Sequence, residues 1–418
     1  KLFSKAKEAN IQEYEVYYLD RESLSIDVYK EEVDKYDLKS SYGLSFRGKI
    51  NGKIGYSYTE ILDEDAIDML IKNVIESAEL IESEDIQFIY DGDKNYAEVQ
   101  TYYEALENID PSKLIEIALR LEKEAKELDE RVVSFHGCKI NYSNSKYGII
   151  NSKGLNLENK SNILSAYVVP IIKDNEKMFE GVGYVVARDL NDIDTKKMAE
   201  DGVGEALSRI GGKSIPSGKY KTVFNNDAMV SLLSVFASIF SGDSAQKGFS
   251  LLKDKEGEII ASPKVNLVDN PHLVNGLASV SFDDEGVATS KTDLIKEGRL
   301  ITLLHNLKTA YKGNTKTTGN GFKASYASSV GVSPTNFYIE NGEKSVEEIY
   351  ELVGNGVLIT DLAGLHSGAS AVTGDFSLAA KGFYIENGVK SYPVEQITIA
   401  GNFFELLKNI EEVGNDLL

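Results

Sequence analysis

A single cysteine, Cys138, stands in 418 residues, so no internal disulfide can form and nothing in the cysteine usage suggests export. By itself it reads as a small buried hydrophobe rather than a nucleophile. Histidine is almost as sparse, with only His136, His272, His305 and His366. None begins a His-Glu-x-x-His pair and none has a second histidine nearby at ligand spacing, so each reads first as a hydrogen-bonded structural residue. No apolar run approaches the roughly 20 residues of a membrane-spanning helix. No signal peptide is read at the start, Lys1 as first residue points to a missing N-terminal piece, and cytoplasm is the expected compartment. Basic residues are outnumbered, 45 against 66 acidic, for a formal charge of −21, and no compact Lys/Arg block offsets this. Such a chain repels phosphate backbones and anionic lipids, so neither a nucleic acid nor a membrane is an expected partner. A P-loop, a Gly-x-Gly-x-x-Gly run after a strand and a Gly-x-Ser-x-Gly elbow are also missing.

What remains is an ordinary globular composition spread over a length too great for one compact core. Two domains are expected, 1–212 and 213–418, divided at the Gly211–Gly218 stretch GGKSIPSG, whose composition is that of a linker. In the first, strand-like alternation over Tyr14–Leu19, Leu24–Tyr29 and Asp37–Tyr58 precedes a helix that Asp63 caps, with Ile67, Leu70, Ile71, Val74, Ile75 and Ala78 on one face. A second such unit starts at Asp110-Pro111, a cap with proline in the first turn. Its helix buries Leu114, Ile117, Ala118, Leu121, Ala125 and Leu128. Strands over Val132–Tyr142, Tyr147–Asn151, Ile163–Ile172 and Gly181–Arg188 follow, then a helix near Asp194–Ile210. The expected class is α+β, with antiparallel strand-and-helix layers in the N-terminal domain and a β-rich C-terminal domain. In the latter, Asn226 or Asp227 is the expected cap of a helix with Met229, Leu232, Leu233, Phe236, Ile239 and Phe240 on its buried stripe, ended by Gly242-Asp243. The hexapeptide FYIENG occurs at Phe337–Gly342 and Phe383–Gly388, which suggests two copies of one hairpin corner.

The segment Val357–Gly401 is the least generic part. An apolar run leads into Gly364, Gly368 and Gly374, then two strand-like runs flank Asn387-Gly388, a strong hairpin signal because both turn residues need positive φ. Glycines with few bulky neighbours leave backbone groups open to a neighbouring strand or an extended peptide. His366 lies in this cluster between Asp361 and Asp375, and two carboxylates with an imidazole could bind a divalent metal. The alternative is a hydrogen-bonded loop. Asp283, Asp284 and Glu285 stand together before Gly286 and read either as a cation clamp or as an acidic turn solvated at a hairpin end. Thr317–Gly321, TTGNG, reads as a tight turn with exposed backbone donors.

Taken together, FDDEGVAT (Phe282–Thr289), TTGNG, VTGDFSLAAKGFYIENG (Val372–Gly388), YPVEQITIAGN (Tyr392–Asn402) and the closing VGND (Val413–Asp416) resemble the TldD/PmbA family. TldD-type members look like metallopeptidases with a His-Glu-x-x-x-His helix and a later cysteine on the metal. The corresponding helix here reads LLSVFASIFSGD, and the positions around Ser234, Val235, Ser238 and Ile239 hold no His and no Glu. That departure, with SGDSAQKG (Ser241–Gly248), resembles the PmbA branch, also called TldE. The resemblance implies a heterodimer with a TldD-type zinc subunit acting on unfolded or small peptides. It also implies no cofactor in this chain, no catalytic residue of its own, and a further C-terminal strand beyond Leu418. The family's older label, modulator of DNA gyrase, is a poor guide to DNA contact at a charge of −21. On this view Asp283, Asp284, Glu285, Asn320, His366 and Asp375 line the wall of a peptide groove. Two rival expectations are a self-sufficient metal-dependent peptidase built on Asp361, His366 and Asp375, with His305, and a homodimeric peptide-binding scaffold. Homodimerisation of the isolated chain is compatible with each.

Overall fold

The computed structural model describes residues 1–83 and 85–418. Helix α1 (Leu2–Glu8) is followed by strands β1 (Glu13–Tyr29), β2 (Glu32–Ile50) and β3 (Lys53–Thr59), and by helices α2 (Glu64–Glu79) and α3 (Pro111–Glu127). Then come β4 (Val132–Asn151), β5 (Asn156–Asp174), β6 (Lys177–Glu180), β7 (Gly183–Ala187) and α4 (Thr195–Ser208). The seven strands form one antiparallel sheet in the order β3-β2-β1-β4-β5-β6, with β7 also on β5. The two expected strand-and-helix units are therefore halves of a single sheet, joined where β1 pairs with β4. The expected gap between Leu19 and Leu24 does not exist. Asp20–Ser23 carries polar side chains but stays in the ladder between β2 and β4, so β1 is one long strand.

Helix caps follow the sequence. Asp63 accepts from the Ala66 N–H, Asp110 from Ser112 and Asp194 from Lys197, each satisfying an N–H that the first turn leaves free. α3 and α4 pack Leu114, Ala118, Leu121, Met198, Ala199 and Val203 onto Ile26, Cys138, Ile140, Leu164 and Val168. Leu128, expected on that buried face, lies past the helix end and is exposed. α2 seats Leu70 and Val74 on Tyr14, Leu44 and Phe46. The helix crosses so close to Gly55 that a Cβ there would strike the Val74 carbonyl, which is why the strand carries glycine at that point.

The C-terminal half runs β8 (Lys221–Phe224), α5 (Asn226–Phe236), a 3₁₀ turn (Ala237–Phe240) and α6 (Gly242–Gln246), then β9 (Leu267–Asp269), β10 (Thr292–Lys296), β11 (Arg299–Leu300) and α7 (Leu307–Lys312). β12 (Gly321–Phe322), β13 (Gly331–Val332), β14 (Phe337–Ile339), α8 (Val346–Val353), β15 (Gly356–Ala363), α9 (Leu365–Gly368), β16 (Asp375–Glu386), β17 (Val389–Asn402) and α10 (Phe403–Lys408) complete it. Two four-stranded sheets, β11-β10-β9-β14 and β17-β16-β15-β8, enclose the largest core. At its centre Phe236 of α5 stacks on Phe403 of α10 at 4.4 Å, both fully buried. Such an aromatic pair contributes about 0.5–1.5 kcal/mol beyond its area burial.

Three local expectations are corrected. Asn225, one residue earlier than expected, caps α5 by accepting from Ala228. Gly242-Asp243 opens α6 behind a Ser241 cap instead of merely closing the preceding helix. The two FYIENG copies are not one structure twice. Asn387 and Gly388 take φ of 53° and 79° and turn β16 into β17. Asn341 and Gly342 stay out of the left-handed region. There the strand pairs with β9, and the Gly342 N–H goes to the Gly414 carbonyl. Tertiary partners, not the hexapeptide, decide which copy turns.

Candidate functional site

The acidic motif lies at the seam between the two halves. The Asp283 N–H bonds the Val287 carbonyl and Gly286 takes φ of 84°, which folds residues 283–287 into a tight loop. Asp283 Oδ1 accepts from the N–H groups of Glu285 (2.9 Å) and Val287 (3.0 Å), and Oδ2 from Gly321 (2.8 Å). Asp284 Oδ2 accepts from the Lys323 N–H at 2.7 Å, and Glu285 Oε2 from Leu307, the first residue of α7, at 2.8 Å. All three side chains are buried, with exposures of 0%, 6% and 5%. The expectation of a solvated turn is therefore overturned, and none of the three side chains is exposed in this chain. Five backbone donors supply the hydrogen bonds that water would otherwise give, which makes burial of the carboxyl groups tolerable.

The N-terminal sheet supplies Arg47 and the lid, and the C-terminal half supplies the second cation, Lys323. Arg47 on β2 reaches Glu15 on β1 through Nε (3.0 Å) and Nη2 (2.5 Å), and both are almost fully buried. The Lys323 ammonium donates to Ser45 Oγ at 3.0 Å and lies over the rings of Tyr17 (4.4 Å) and Tyr56 (5.5 Å). Tyr147 and Tyr96 pack on Phe282 at 5.5 and 6.1 Å, and the Tyr96 hydroxyl donates to the Gly286 carbonyl. Tyr17, Ile149, Leu155 and Phe282 close this small apolar cap.

Burial dominates the titration of the cluster. It drives Asp283 well above the usual carboxylate range, with the Glu285 charge adding to the effect. It raises Asp284 to about 6 against the opposing Lys323 contacts. It raises Glu285 despite the Arg47 charge. It also lowers Lys323 to about 7, and the nearby Arg47 charge works in the same direction. For Arg47 burial acts to lower the pKa, but the charges of Glu15 and Glu285 outweigh it and the guanidinium stays charged.

Asn320 occupies an adjoining polar knot. Its amide donates to Asp269 Oδ2 (2.7 Å) and the Ser333 carbonyl (3.0 Å), and its oxygen accepts from Thr318 Oγ1 (2.6 Å). The backbone donors of TTGNG are engaged rather than exposed. Thr318 and Asn320 donate to the His305 carbonyl, and Gly321 to Asp283. His305 is itself buried beside Gly242, with Nδ1 3.2 Å from Thr309 Oγ1, and burial lowers its pKa.

His366, on α9, and Asp375, the first residue of β16, lie elsewhere and are exposed. Asp375 accepts from Asn402 Nδ2 at 2.9 Å, and that bond is the main cause of its lowered pKa. Asp361 faces Lys381 at 3.5 Å. The glycine cluster is closed on itself: Gly368 donates to Gly364, Gly374 to Ser370, Ser370 to Asp375, and Phe403 to Gly374. Among the described residues no group of three or more His, Cys, Asp or Glu side chains is placed to hold a metal ion. The expected alternative site on Asp361, His366, Asp375 and His305 is thus not assembled.

A zinc site of the TldD type in this chain would need imidazoles and a carboxyl on α5. That helix presents Ser234, whose hydroxyl donates to the Ser231 carbonyl at 2.8 Å, beside half-buried Val235. The turn after it carries exposed Ser238 and buried Ile239. Hydroxyl and apolar groups do not make a zinc site. Cys138 is no substitute, because it is buried in the N-terminal half against the Ala118 carbonyl, and burial pushes its thiol up to about 12. Glu15, Arg47, Tyr17 and Lys323 escaped the sequence reading. The available signal was Arg47 itself, a charge inside the otherwise buried run Gly43–Gly48.

A two-part α+β chain, with one seven-stranded antiparallel sheet in its first half and a buried acid motif at the seam with its second, is the class these features define. Known relatives share that fold. The models for PmbA/TldA metallopeptidase domain 1, central domain and C-terminal domain match residues 14–78, 104–210 and 217–418. Metalloprotease PmbA of Escherichia coli O157:H7 is 33% identical over 74% of this chain. The match spans 66% of that relative's length, slightly under two thirds. The crystal structure of a candidate modulator of a DNA gyrase from Thermotoga maritima MSB8 is 33% identical, covers 99% of this chain and 94% of its own, and superposes with a TM-score of 0.92. TldE from Thermococcus kodakarensis shares the fold at a TM-score of 0.89 and 23% identity, over 100% of this chain and 95% of its own. The chain belongs to the PmbA/TldD family, in its PmbA branch.

Proposed function

We propose that this chain is the PmbA/TldE-like, metal-free subunit of a cytosolic metallopeptidase, paired as a heterodimer with a TldD-type zinc subunit and acting on unfolded or small peptides. The observation that carries this reading is α5, where hydroxyl and apolar side chains stand in place of imidazoles and a general base. In such a pair, water activation and polarisation of the scissile carbonyl are chemistry that zinc supplies when bound in the other chain. The present chain contributes shape and backbone hydrogen bonding. β17, the outermost strand of its sheet, is the surface suited to an extended peptide, because strand addition needs no particular side chains. Lys213 covers only the stretch near Pro393–Glu395, and Asp375 stands at the far end, bonded to Asn402.

Co-expression with a tagged TldD-type chain tests this. The expected result is a one-to-one complex that cleaves an unfolded protein substrate and is silenced by a chelator, while the present chain alone is inert. Cleavage by the isolated chain, or no complex with any TldD-type chain of its source, overturns the proposal.

A further inference from the structure

Family domain 1 ends at residue 78 and the central domain begins at 104, so the connection from α2 to α3 lies outside both. Residues 85–96 of that connection form a strap laid across the seam between the two halves. On the N-terminal side the Tyr90 carbonyl accepts from Asn151 Nδ2 at 2.6 Å. On the C-terminal side Asp85 pairs with Lys312 at 2.9 Å, Asp93 accepts from the Ala288 N–H at 2.8 Å, and the Tyr96 hydroxyl donates to the Gly286 carbonyl at 2.8 Å. Ile89, between these ties, is buried.

Strap and α7 together line a cleft of about 360 Å³. That lies toward the lower end of the range for ligand sites, roughly 300–1,000 Å³, and suits one large side chain rather than a folded element. The lining is aromatic, with Phe88 and Tyr90 from the strap and Tyr311 from α7, beside Leu307 and Ala310. Phe88 meets Tyr311 edge-on at 5.3 Å, and Tyr311 remains 57% exposed. Both walls are fixed in advance. The strap is tied as described, Asn306 caps α7, and the Leu307 N–H is held by the buried Glu285 carboxylate. A preformed cleft loses little freedom on binding.

Its charge is one-sided. Two charged side chains line it, Asp91 and Lys153. Lys153 already faces Glu13 at 3.5 Å. Asp91 is exposed, and among the described residues no cation pairs with its carboxylate.

We propose that this cleft anchors one aromatic side chain of a peptide, with a lysine or arginine beside it in the peptide meeting Asp91. A third ring can pack edge-to-face against Phe88 and Tyr311, and burying it removes about 150–250 Å² from water. The neighbouring cation meets both the Asp91 carboxylate and the exposed ring of Tyr311. An acidic neighbour would be repelled by the unpaired carboxylate. The inference rests on reading the chain as a peptide-handling subunit, but it needs neither the zinc partner nor β17.

Fluorescence anisotropy on the isolated full chain tests it, with fluorescein-labelled Gly-Lys-Phe-Lys-Gly as the probe. Binding should saturate, and Gly-Lys-Ala-Lys-Gly and Gly-Glu-Phe-Glu-Gly should each bind about tenfold more weakly or worse. Tyr311→Ala should weaken the probe by a similar factor, and Thr315→Trp, which fills the cleft from its rim, should abolish binding. Both positions are exposed, so thermal melts of the variants should stay near wild type. Asp91→Lys should reverse the preference toward Gly-Glu-Phe-Glu-Gly. No binding, binding indifferent to the phenylalanine, or binding that survives both Tyr311→Ala and Thr315→Trp overturns the proposal. A TldD-type complex that cleaves peptide alongside such a result removes this inference alone. Probe binding of the expected kind without any such complex removes the zinc-subunit reading alone.

Discussion

Asp284 holds the backbone N–H of Lys323 at 2.7 Å, while the Lys323 ammonium turns away to Ser45 and the faces of Tyr17 and Tyr56. One residue of the C-terminal half is thereby gripped at its backbone by its own half and at its side chain by the N-terminal sheet. Lys323→Ala should cost about 1–3 kcal/mol, through the lost cation–π contacts and the hydrogen bond to Ser45. Urea melts of variant and wild type measure it. Lys323→Arg should recover only part of the loss, because a planar guanidinium does not fit the ammonium's place between two rings.

Arg47→Ala leaves Glu15 buried without its cation, and the expected loss is about 3–5 kcal/mol. The double variant Arg47→Leu with Glu15→Leu should be less damaged than Arg47→Ala, since no uncompensated charge remains. A thermodynamic cycle over the single and double variants reads the coupling directly.

The pH dependence has a sign at each end. Asp284 titrates near 6 in the folded chain against an ordinary 3.8, so the folded state holds the extra proton and stability falls as pH rises from about 4 through 6. Burial gives Asp283 and Glu285 the same sign. Lys323 titrates near 7 against an ordinary 10.5, so the unfolded state holds the extra proton and stability climbs again above 7. Denaturant midpoints measured across this range should show a shallow minimum between about 6 and 7. Asp284→Asn should flatten the acid side and Lys323→Met the alkaline side.

Two glycine-to-alanine changes should move stability in opposite directions. At Gly321 a Cβ would lie 2.6 Å from Glu285 Oε2 and 3.0 Å from Asp283 Oδ2, so alanine should cost about 1–3 kcal/mol by overpacking the seam. Gly204 sits within α4 with nothing near its Cβ position, so alanine there should add about 0.5–1 kcal/mol. Thermal melts of the two variants are sufficient to check this.

The elements whose signals are local were legible in the sequence. Asp63 and Asp110 cap the expected helices because a cap is a matter of three or four consecutive residues. The Asn387-Gly388 hairpin was legible for the same reason. The joining of β1 to β4 was not, since it brings together residues more than a hundred positions apart. Neither was the fate of the acidic loop. Asp283, Asp284 and Glu285 look like surface in one dimension, and only the folded chain brings the N–H groups of Leu307, Gly321 and Lys323 to them. The first FYIENG shows the reverse limit, a local turn signal overruled by pairing with β9.

Metal analysis of the isolated, full-length chain, purified without chelator in zinc-supplemented medium, tests the central claim most directly. The account predicts far less than one zinc per chain, and none retained after dialysis. One tightly held zinc per chain, lost together with a chelator-sensitive peptidase activity when the chain's own side chains are changed, would contradict it.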